Sequence, residues 1–214
     1  MYRVVVTGVL SLCLTGCSMG SNSLTAGFAN SGQPEARSYR PRETASIDRT
    51  APTRAVAKAD DKAPKGTFEK APTGALADRD YSGTRLDTEK ARDLVNAYRK
   101  SKGLRPLQLQ PALTEAARAH SRDLAKWDRI SHFGSDGSNP WDRVKRAGYN
   151  AKVAAENVGT GQVTVEEVMK GWQASPGHNK NLLLADAHHM GIALVQDPKT
   201  EFKTFWTLVI GSPL

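Results

Sequence analysis

Two histidines and one glutamate lie in short polar motifs in the second half of the chain. His132 stands in Ser-His-Phe-Gly, Glu156 in Ala-Glu-Asn-Val and His178 in Ser-Pro-Gly-His. The Gly, Pro and Ser residues nearby indicate turns, where side chains from distant segments can converge in one cleft. Two imidazoles and one carboxylate match the ligand types of a catalytic zinc site with an open position, and such a metal would acidify a bound water. Glu156 could instead act as a general base.

The spacing of these residues does not by itself require a metal. No His-Glu-x-x-His motif occurs, and two histidines without a fixed third ligand bind zinc or another divalent metal only weakly. Ser131 and Ser175 lack the context of a nucleophile elbow, which disfavours a serine hydrolase. Three interpretations stay open: a ligand-binding cleft, a metal site, and residues that only brace the fold.

The order and spacing of the motifs resemble the CAP superfamily (cysteine-rich secretory proteins, antigen 5 and pathogenesis-related proteins), specifically its bacterial branch, over residues 86–214. Bacterial members carry a matching Ser-His and a very similar Trp-x-x-Ser-Pro-Gly-His stretch. The usual Gly-Glu-Asn of the family is here Ala-Glu-Asn, with Ala155 in the place of the glycine.

The resemblance implies a cleft that contains His132, Glu156 and His178, in which the carboxylate is paired with the histidines. His132 and His178 would be the metal ligands if a metal binds. Animal members have a second glutamate three residues after the tryptophan, and this chain has Ser175 there. Ser175 is therefore a candidate polar fourth member, and its presence weakens any transfer of the animal proteins' activity.

Apolar periodicity predicts the elements that position these motifs. Helices are expected after Asp87 up to Gly103, from Pro111, from Asn139-Pro140 to Gly148 and after Thr164 to Trp172; strands are expected at Val153–Val158, Met190–Val195 and Phe202–Ile210, the last two as a hairpin across Asp197-Pro198. Helices followed by strands predict an α/β/α arrangement. The resemblance implies the same α/β fold, a CAP-type three-layer α/β/α sandwich with a mainly antiparallel sheet.

The remaining histidines and the tryptophans are interpreted as structural. His120 lies on the apolar stripe of the second helix and is predicted to be a core histidine, while His188 and His189 are predicted to be structural or rim residues. The four tryptophans are expected in the core because they lie on apolar faces: Trp127, Trp141, Trp172 and Trp206.

The net charge of the chain bears on one possible function, the binding of nucleic acid. The chain has 214 residues and a formal net charge of +8, which invites a nucleic-acid interpretation. Lysines and arginines are interspersed with acidic residues, however, and no nucleic-acid motif occurs, so nucleic acid is not an expected partner. A mild attraction to anionic envelope polymers or lipid headgroups is the better inference.

The N-terminus resembles a bacterial lipoprotein signal. A basic start precedes the apolar stretch Val4–Leu14, which is too short to span a bilayer, and Leu-Thr-Gly-Cys follows. The resemblance to a lipobox implies a signal peptide over residues 1–16, which takes Cys13 with it, and acyl chains on Cys17 that anchor the exported protein in a bacterial membrane. Ser18 is compatible with sorting to an outer membrane, if the host has one. In the alternative interpretation Cys17 is an ordinary cysteine in a plain secretory signal.

The segment that follows differs in composition from the rest of the chain. Pro, Ser, Thr, Ala, Gly and charged residues dominate up to Thr84 without apolar periodicity, which predicts a disordered tether over residues 17–85. Such a chain would span about 45–50 Å and lift the domain of residues 86–214 towards the cell wall.

Together these features predict a lipid-anchored envelope protein whose cleft binds a lipid, a cell-wall component or an envelope protein without turning it over. The alternative is a metal-assisted hydrolase of peptide or peptidoglycan, with His132 and His178 as ligands and Glu156 as base.

Overall fold

The computed structural model describes residues 74 and 76–214, and the backbone of residues 25–30. This part of the chain contains β1 (Thr25–Asn30), α1 (Thr88–Ser101), β2 (Gln108–Leu109), α2 (Pro111–Trp127), α3 (Pro140–Arg146), β3 (Ala151–Thr160), α4 (Val165–Ala174), α5 (Pro176–Leu182), β4 (His189–Gln196) and β5 (Thr204–Pro213). No helix in residues 76–214 is long and apolar enough to cross a membrane.

One five-stranded sheet in the order β1-β3-β5-β4-β2 forms the middle layer. The short β2 pairs with β4 in parallel, and the other three pairings are antiparallel. Helices α2 and α3 pack on one face, while α1, α4 and α5 pack on the other. This arrangement confirms the predicted three-layer α/β/α sandwich and its mainly antiparallel sheet.

The central strand β5 shows why the sheet is covered on both faces. Its residues alternate between the two cores, because successive side chains of a strand point to opposite faces. Trp206, Leu208 and Ile210 join the core under α1, α4 and α5. Val209 joins the core under α2 and α3. All four side chains are almost fully buried, so both helical layers contribute to the hydrophobic stabilisation.

The predicted helix starts are confirmed by their caps. The side chain of Asp87 accepts a hydrogen bond from the Lys90 amide before α1, and Pro111 occupies the first turn of α2. Asn139 forms a reciprocal capping box before α3, and the Thr164 hydroxyl accepts from the amide at the third position of α4. Capping side chains satisfy the free amide groups of the first helical turn and thereby fix these boundaries.

Two local expectations differ from the structure. The Ser-Pro-Gly-His motif was expected to form a turn, but Pro176 begins the helix α5, since proline at the first helical position loses no hydrogen bond. Of the four tryptophans predicted in the core, Trp172 and Trp206 are fully buried, whereas Trp127 and Trp141 are half-buried at the ends of their helices.

Residues 76–84 pack on the domain, before the boundary expected at Leu86. Leu76 is only 4% exposed and joins a core cluster beside Gly161. The Arg79 guanidinium donates to both carboxylate oxygens of Glu167 at 2.7 Å, and the Tyr81 hydroxyl donates to the carbonyl of Gly161. This segment, called the strap below, therefore belongs to the folded domain.

Strand β1 lies within the stretch that was expected to be a tether without regular structure. It pairs with β3 from Thr25 opposite Gly159 to Asn30 opposite Ala154. The composition of this stretch gave no strand signal, because main-chain pairing to an open sheet edge requires no apolar alternation. The expected signal peptide, the lipidated Cys17 and the rest of the expected tether, apart from Gly74 and residues 76–85, lie outside the described residues.

Candidate functional site

Glu156 is the centre of the candidate site. It lies in the middle of β3 and is 1% exposed. Its Oε1 is 2.9 Å from His132 Nδ1, and its Oε2 accepts a hydrogen bond from Arg143 Nη2 at 2.8 Å. An ionised carboxylate only accepts hydrogen bonds, so Nδ1 of His132 carries the proton in this contact. Both oxygens of Glu156 are therefore engaged by side chains of the same domain.

Arg143 joins this centre to the loop that carries His132. The arginine projects from α3 and is buried, and its Nη1 donates to the carbonyl of Ser138 at 2.8 Å. Its Nη2 also donates to the carbonyl of His132 at 2.9 Å. One guanidinium thus holds the 132–138 loop and Glu156 together, which fixes the position of the His132 ring.

His120 completes the surroundings of the carboxylate. This residue of α2 is fully buried, as predicted, but its Nε2 also lies 3.5 Å from Glu156 Oε1. The same nitrogen is 2.8 Å from the carbonyl of Ser131, which can only accept, so Nε2 carries the proton of the neutral ring. Burial lowers the pKa of His120 to about 4, and the ring is uncharged at neutral pH.

The Glu156 carboxyl is held in its ionised form. Burial by itself raises the pKa of this group. His120 in its protonated form, the Arg143 guanidinium and the hydrogen bond from His132 outweigh burial and hold the pKa well below its usual range. A carboxyl group whose pKa is this low, and whose two oxygens both accept hydrogen bonds, is a poor general base at neutral pH.

His178 has the opposite character. It lies in the first turn of α5 and is fully buried, yet neither of its ring nitrogens has a hydrogen-bond partner within residues 76–214. Burial, and after it the charge of a protonated His132, lower the pKa of His178 to about 4. A buried imidazole without partners is costly, and such a group points to a role in binding.

Two asparagines hold α5 against β3 and so place His178. The side-chain amide of Asn157 donates to the carbonyl of His178 at 3.1 Å. The side-chain amide of Asn181 donates to Asn157 Oδ1 at 2.8 Å and to the carbonyl of Glu156 at 3.0 Å. The helix that carries His178 is thereby tied to the strand that carries Glu156.

Ser175 has a structural position at this site. It is the N-cap residue of α5, and its amide donates to the carbonyl of Gly171. Its side chain makes no capping hydrogen bond, and no described contact joins it to His178. The structure thus brings His132 and Glu156 into direct contact and places His178 nearby, but it does not join Ser175 to them.

Arg143 was not predicted to belong to the site, and His120 was predicted only as a core residue. A glutamate in a buried strand requires a counter-charge, and the histidines alone were expected to supply it. The signal that could have found Arg143 is its place in the short helix opened by Asn139-Pro140, directly after the loop of His132. His188 is exposed and contacts Arg105, and the half-buried His189 contacts Tyr149, so neither contact involves Glu156.

The arrangement fits a catalytic metal centre poorly. Within the described residues, no group of three or more His, Cys, Asp or Glu side chains could hold a metal ion. Both oxygens of Glu156 are engaged, and the charge of Arg143, 2.8 Å from one of them, would repel a divalent cation there. The ligands of such an ion would be two imidazoles, those of His132 and His178, and two ligands bind weakly.

A separate cavity of about 360 Å³ opens between α2, the 134–138 loop and α3. Its lining includes the buried His120 and Arg143 together with Asp123, Asp136 and Arg146. None of the four residues predicted for the cleft lines this cavity. The cavity adjoins the Glu156 cluster through His120 and Arg143, the two residues that were not predicted to belong to the site.

The structure defines the chain as a three-layer α/β/α domain with a buried His-Glu-Arg cluster, and comparison of the sequence adds the family. Residues 92–210 match the CAP family, described as the cysteine-rich secretory protein family. This match covers more than half of the chain, which therefore belongs to the CAP family.

Two curated relatives come from Bacillus subtilis. The uncharacterized protein YkwD is 39% identical over 108 residues, which is 50% of this chain and 42% of that protein. The uncharacterized membrane protein YlbC is 29% identical over 121 residues, which is 56% of this chain and 35% of that protein. The chain thus matches less than half the length of each relative.

Solved structures show the same fold at low sequence identity. An extracellular protein with an SCP domain from Bacillus anthracis superposes with a TM-score of 0.51 at 24% identity, covering 57% of this chain and 39% of that chain. An outer surface protein of Borrelia burgdorferi superposes with a TM-score of 0.54 at 19% identity, covering 62% of this chain and 99% of that chain. At these identities the likeness supports the fold alone.

Proposed function

We propose that this CAP-domain protein is a lipid-anchored component of the bacterial cell envelope that binds an envelope ligand at His178 and His132 without turning it over. The ligand is a lipid, a cell-wall component or an envelope protein. The lipobox-like sequence that ends at Cys17 supports the anchor. The extracellular and outer surface proteins of the same fold are consistent with export of this chain.

The observation that carries this proposal is the contrast between Glu156 and His178. Both oxygens of Glu156 are engaged, so this carboxylate organises the site and is not available to take a proton. His178 keeps both ring nitrogens without a partner in the described part of the chain. A neutral imidazole can accept one hydrogen bond and donate another, which suits recognition of a polar group on a ligand.

The alternative function is a metal-assisted hydrolase of peptide or peptidoglycan. The two unpartnered nitrogens of His178 near His132 favour it, because neutral imidazoles are good ligands for zinc. The engaged Glu156 and the adjacent charge of Arg143 oppose it. A hydrolase would need a third ligand or a water-filled position, and in the described residues the carboxylate nearest to the imidazoles is already held by Arg143.

Calorimetric titration of zinc separates the two functions. The chain from Ser18 would be titrated as wild type and as His132→Ala and His178→Ala variants, with His188→Ala as a control at the rim. Binding weaker than about 100 μM in all four proteins, and no cleavage of peptidoglycan with or without chelator, is the expected result. Micromolar binding that the His132 and His178 variants alone abolish, together with chelator-sensitive cleavage, would establish the hydrolase instead.

A further inference from the structure

The pairing of β1 with β3 determines how far the domain can lie from the membrane. β1 begins at Thr25, and the lipobox-like motif ends at Cys17, so residues 18–24 are the whole chain between the two. A fully extended chain of seven residues spans at most about 25 Å, and a relaxed one spans about 15 Å. Without β1, the chain between Cys17 and the start of the strap at Leu76 would span about 40 Å.

The register also determines which end of the domain is nearest to the anchor. Thr25 pairs with Gly159 near the end of β3, where Thr160 pairs with Phe205. This end of the sheet carries the turn at Gly161 and the β4–β5 hairpin, residues 197–203. The opposite end carries the start of β3 and the end of β5, about 30 Å away along ten-residue strands.

The strand is held in place by more than the edge of β3. Six consecutive residues of β1 are in register with β3, and α5 and α4 pack against β1. Residues 31–75 connect β1 to the strap. Pairing β1 with β3 closes this connection, and the entropic cost of closure rises only slowly with the number of residues. Pairing within one chain is therefore favoured over a strand from another molecule at low concentration.

From these observations we infer that β1 is a clamp that holds the domain against the lipid surface, with the 197–203 hairpin facing the bilayer. The folded domain then begins within about 25 Å of the anchor and does not reach out towards distant wall layers. The inference rests on the proposed lipid anchor at Cys17, but the strand pairing itself does not. The two can therefore be tested separately.

Disulfide trapping tests the pairing without the anchor. The chain from Ser18 contains no cysteine, so an Ala29→Cys, Ala155→Cys protein carries one pair of thiols placed opposite each other by the register. An Ala26→Cys, Ala155→Cys protein is the out-of-register control. Fast oxidation within single chains of the first protein alone is expected. Equal oxidation of both proteins, or a bond between two chains, would overturn the clamp.

Energy transfer to labelled lipid headgroups tests the orientation in the lipidated full-length protein, whose acylation is verified by mass spectrometry of the N-terminal peptide. Single labels are placed at Lys199→Cys in the hairpin and at Lys152→Cys at the opposite end, both at exposed positions. We expect transfer at least about twofold higher from position 199, given the roughly 30 Å between the ends. Equal transfer from both positions on an acylated protein would overturn the orientation.

Proline substitutions link the two results. In a strand, the N–H groups of every second residue point towards the neighbouring strand. Ala26 and Ala29 differ by an odd number of residues, so prolines at both positions remove at least one N–H group that pairs with β3. In this variant the difference between positions 199 and 152 should vanish, whereas the matched substitution Ala45→Pro outside β1 should preserve it. A difference that survives the double substitution would show that something other than β1 orients the domain. Absence of acylation would instead refute the proposed anchor and leave the disulfide result standing.

Discussion

Among single residues, Glu156 and His178 define the chemistry of the cleft by opposite means. Glu156 is buried with full compensation, since a guanidinium and an imidazole engage its two oxygens. His178 is buried without compensation and stays neutral for that reason. A site built from one fixed anion and one uncommitted neutral ring is suited to hold a ligand, whereas general-base chemistry needs a carboxylate that can accept a proton.

Replacement of Glu156 by glutamine should destabilise the protein. The change leaves the buried Arg143 without its counter-charge and sets an amide group against His132 Nδ1, and breaking a buried ion pair typically costs about 3–5 kcal/mol. Urea denaturation measures this change in the free energy of unfolding. The control Glu115→Gln removes an exposed pair with Arg118 and should change the stability by less than about 1 kcal/mol. Equal stability of wild type and Glu156→Gln would contradict the structural role.

The buried His178 should make the protein less stable in acid. Its pKa is about 4 in the folded protein against 6.5 for the ordinary group, so the unfolded chain binds the proton more readily. The free energy of unfolding therefore falls as the pH drops from 6.5 to 4, by about 3 kcal/mol from this residue. Stability against pH, measured for wild type and His178→Asn, should be flatter in the variant over this range. Parallel curves would contradict the assignment.

Among the elements, the strap shows why the domain begins earlier than its helical pattern. Leu76 fills the space above Gly161, where an added Cβ would lie 2.6 Å from a methyl group of the leucine. Leu76→Ala should destabilise the domain by about 2–4 kcal/mol, because it leaves a cavity in a core cluster. The control is Leu214→Ala, since Leu214 is 88% exposed. Thermal melting that shifts equally little in both variants would show that the strap is dispensable.

The contact between α2 and β4 depends on a glycine. A Cβ at Gly191 would lie 2.1 Å from the amide nitrogen of Thr114, an atom of the backbone that cannot move aside. Gly191→Ala should therefore cost at least about 3 kcal/mol or prevent folding. Gly83→Ala is the matched control, because nothing lies within 4 Å of its added Cβ. Expression yield and thermal melting measure both, and similar behaviour of the two variants would contradict the packing of α2 on β4.

The elements that could be predicted are those with a local signal. The starts of α1, α3 and α4 could be predicted because their N-cap side chains are typical caps: Asp87, Asn139 and Thr164. The hairpin could be predicted from two apolar runs on either side of Asp197-Pro198. β1 and the strap could not be predicted, since they are held by an open sheet edge and a distant core, which leave no periodicity in the sequence. The role of Arg143 could not be predicted for a similar reason, because its partner Glu156 lies on another element.

At the scale of the whole molecule, β1 and the candidate site lie in one domain. The clamp β1 pairs with β3, the same strand that carries Glu156 and that binds α5 through Asn157. Anchoring near the bilayer would place the cleft at a limited distance from the lipid surface. The ligands within reach of such an anchored site would be lipids, membrane proteins and the nearest layers of the cell wall.

Co-sedimentation tests the proposal that the candidate site binds an envelope ligand through His178. The chain from Ser18 would be mixed with purified peptidoglycan sacculi and, separately, with vesicles of phosphatidylethanolamine and phosphatidylglycerol. We predict binding to at least one of them that His178→Ala weakens about tenfold or more and that the rim control His188→Ala leaves unchanged. Binding to neither, or binding that both variants affect equally, would contradict the account.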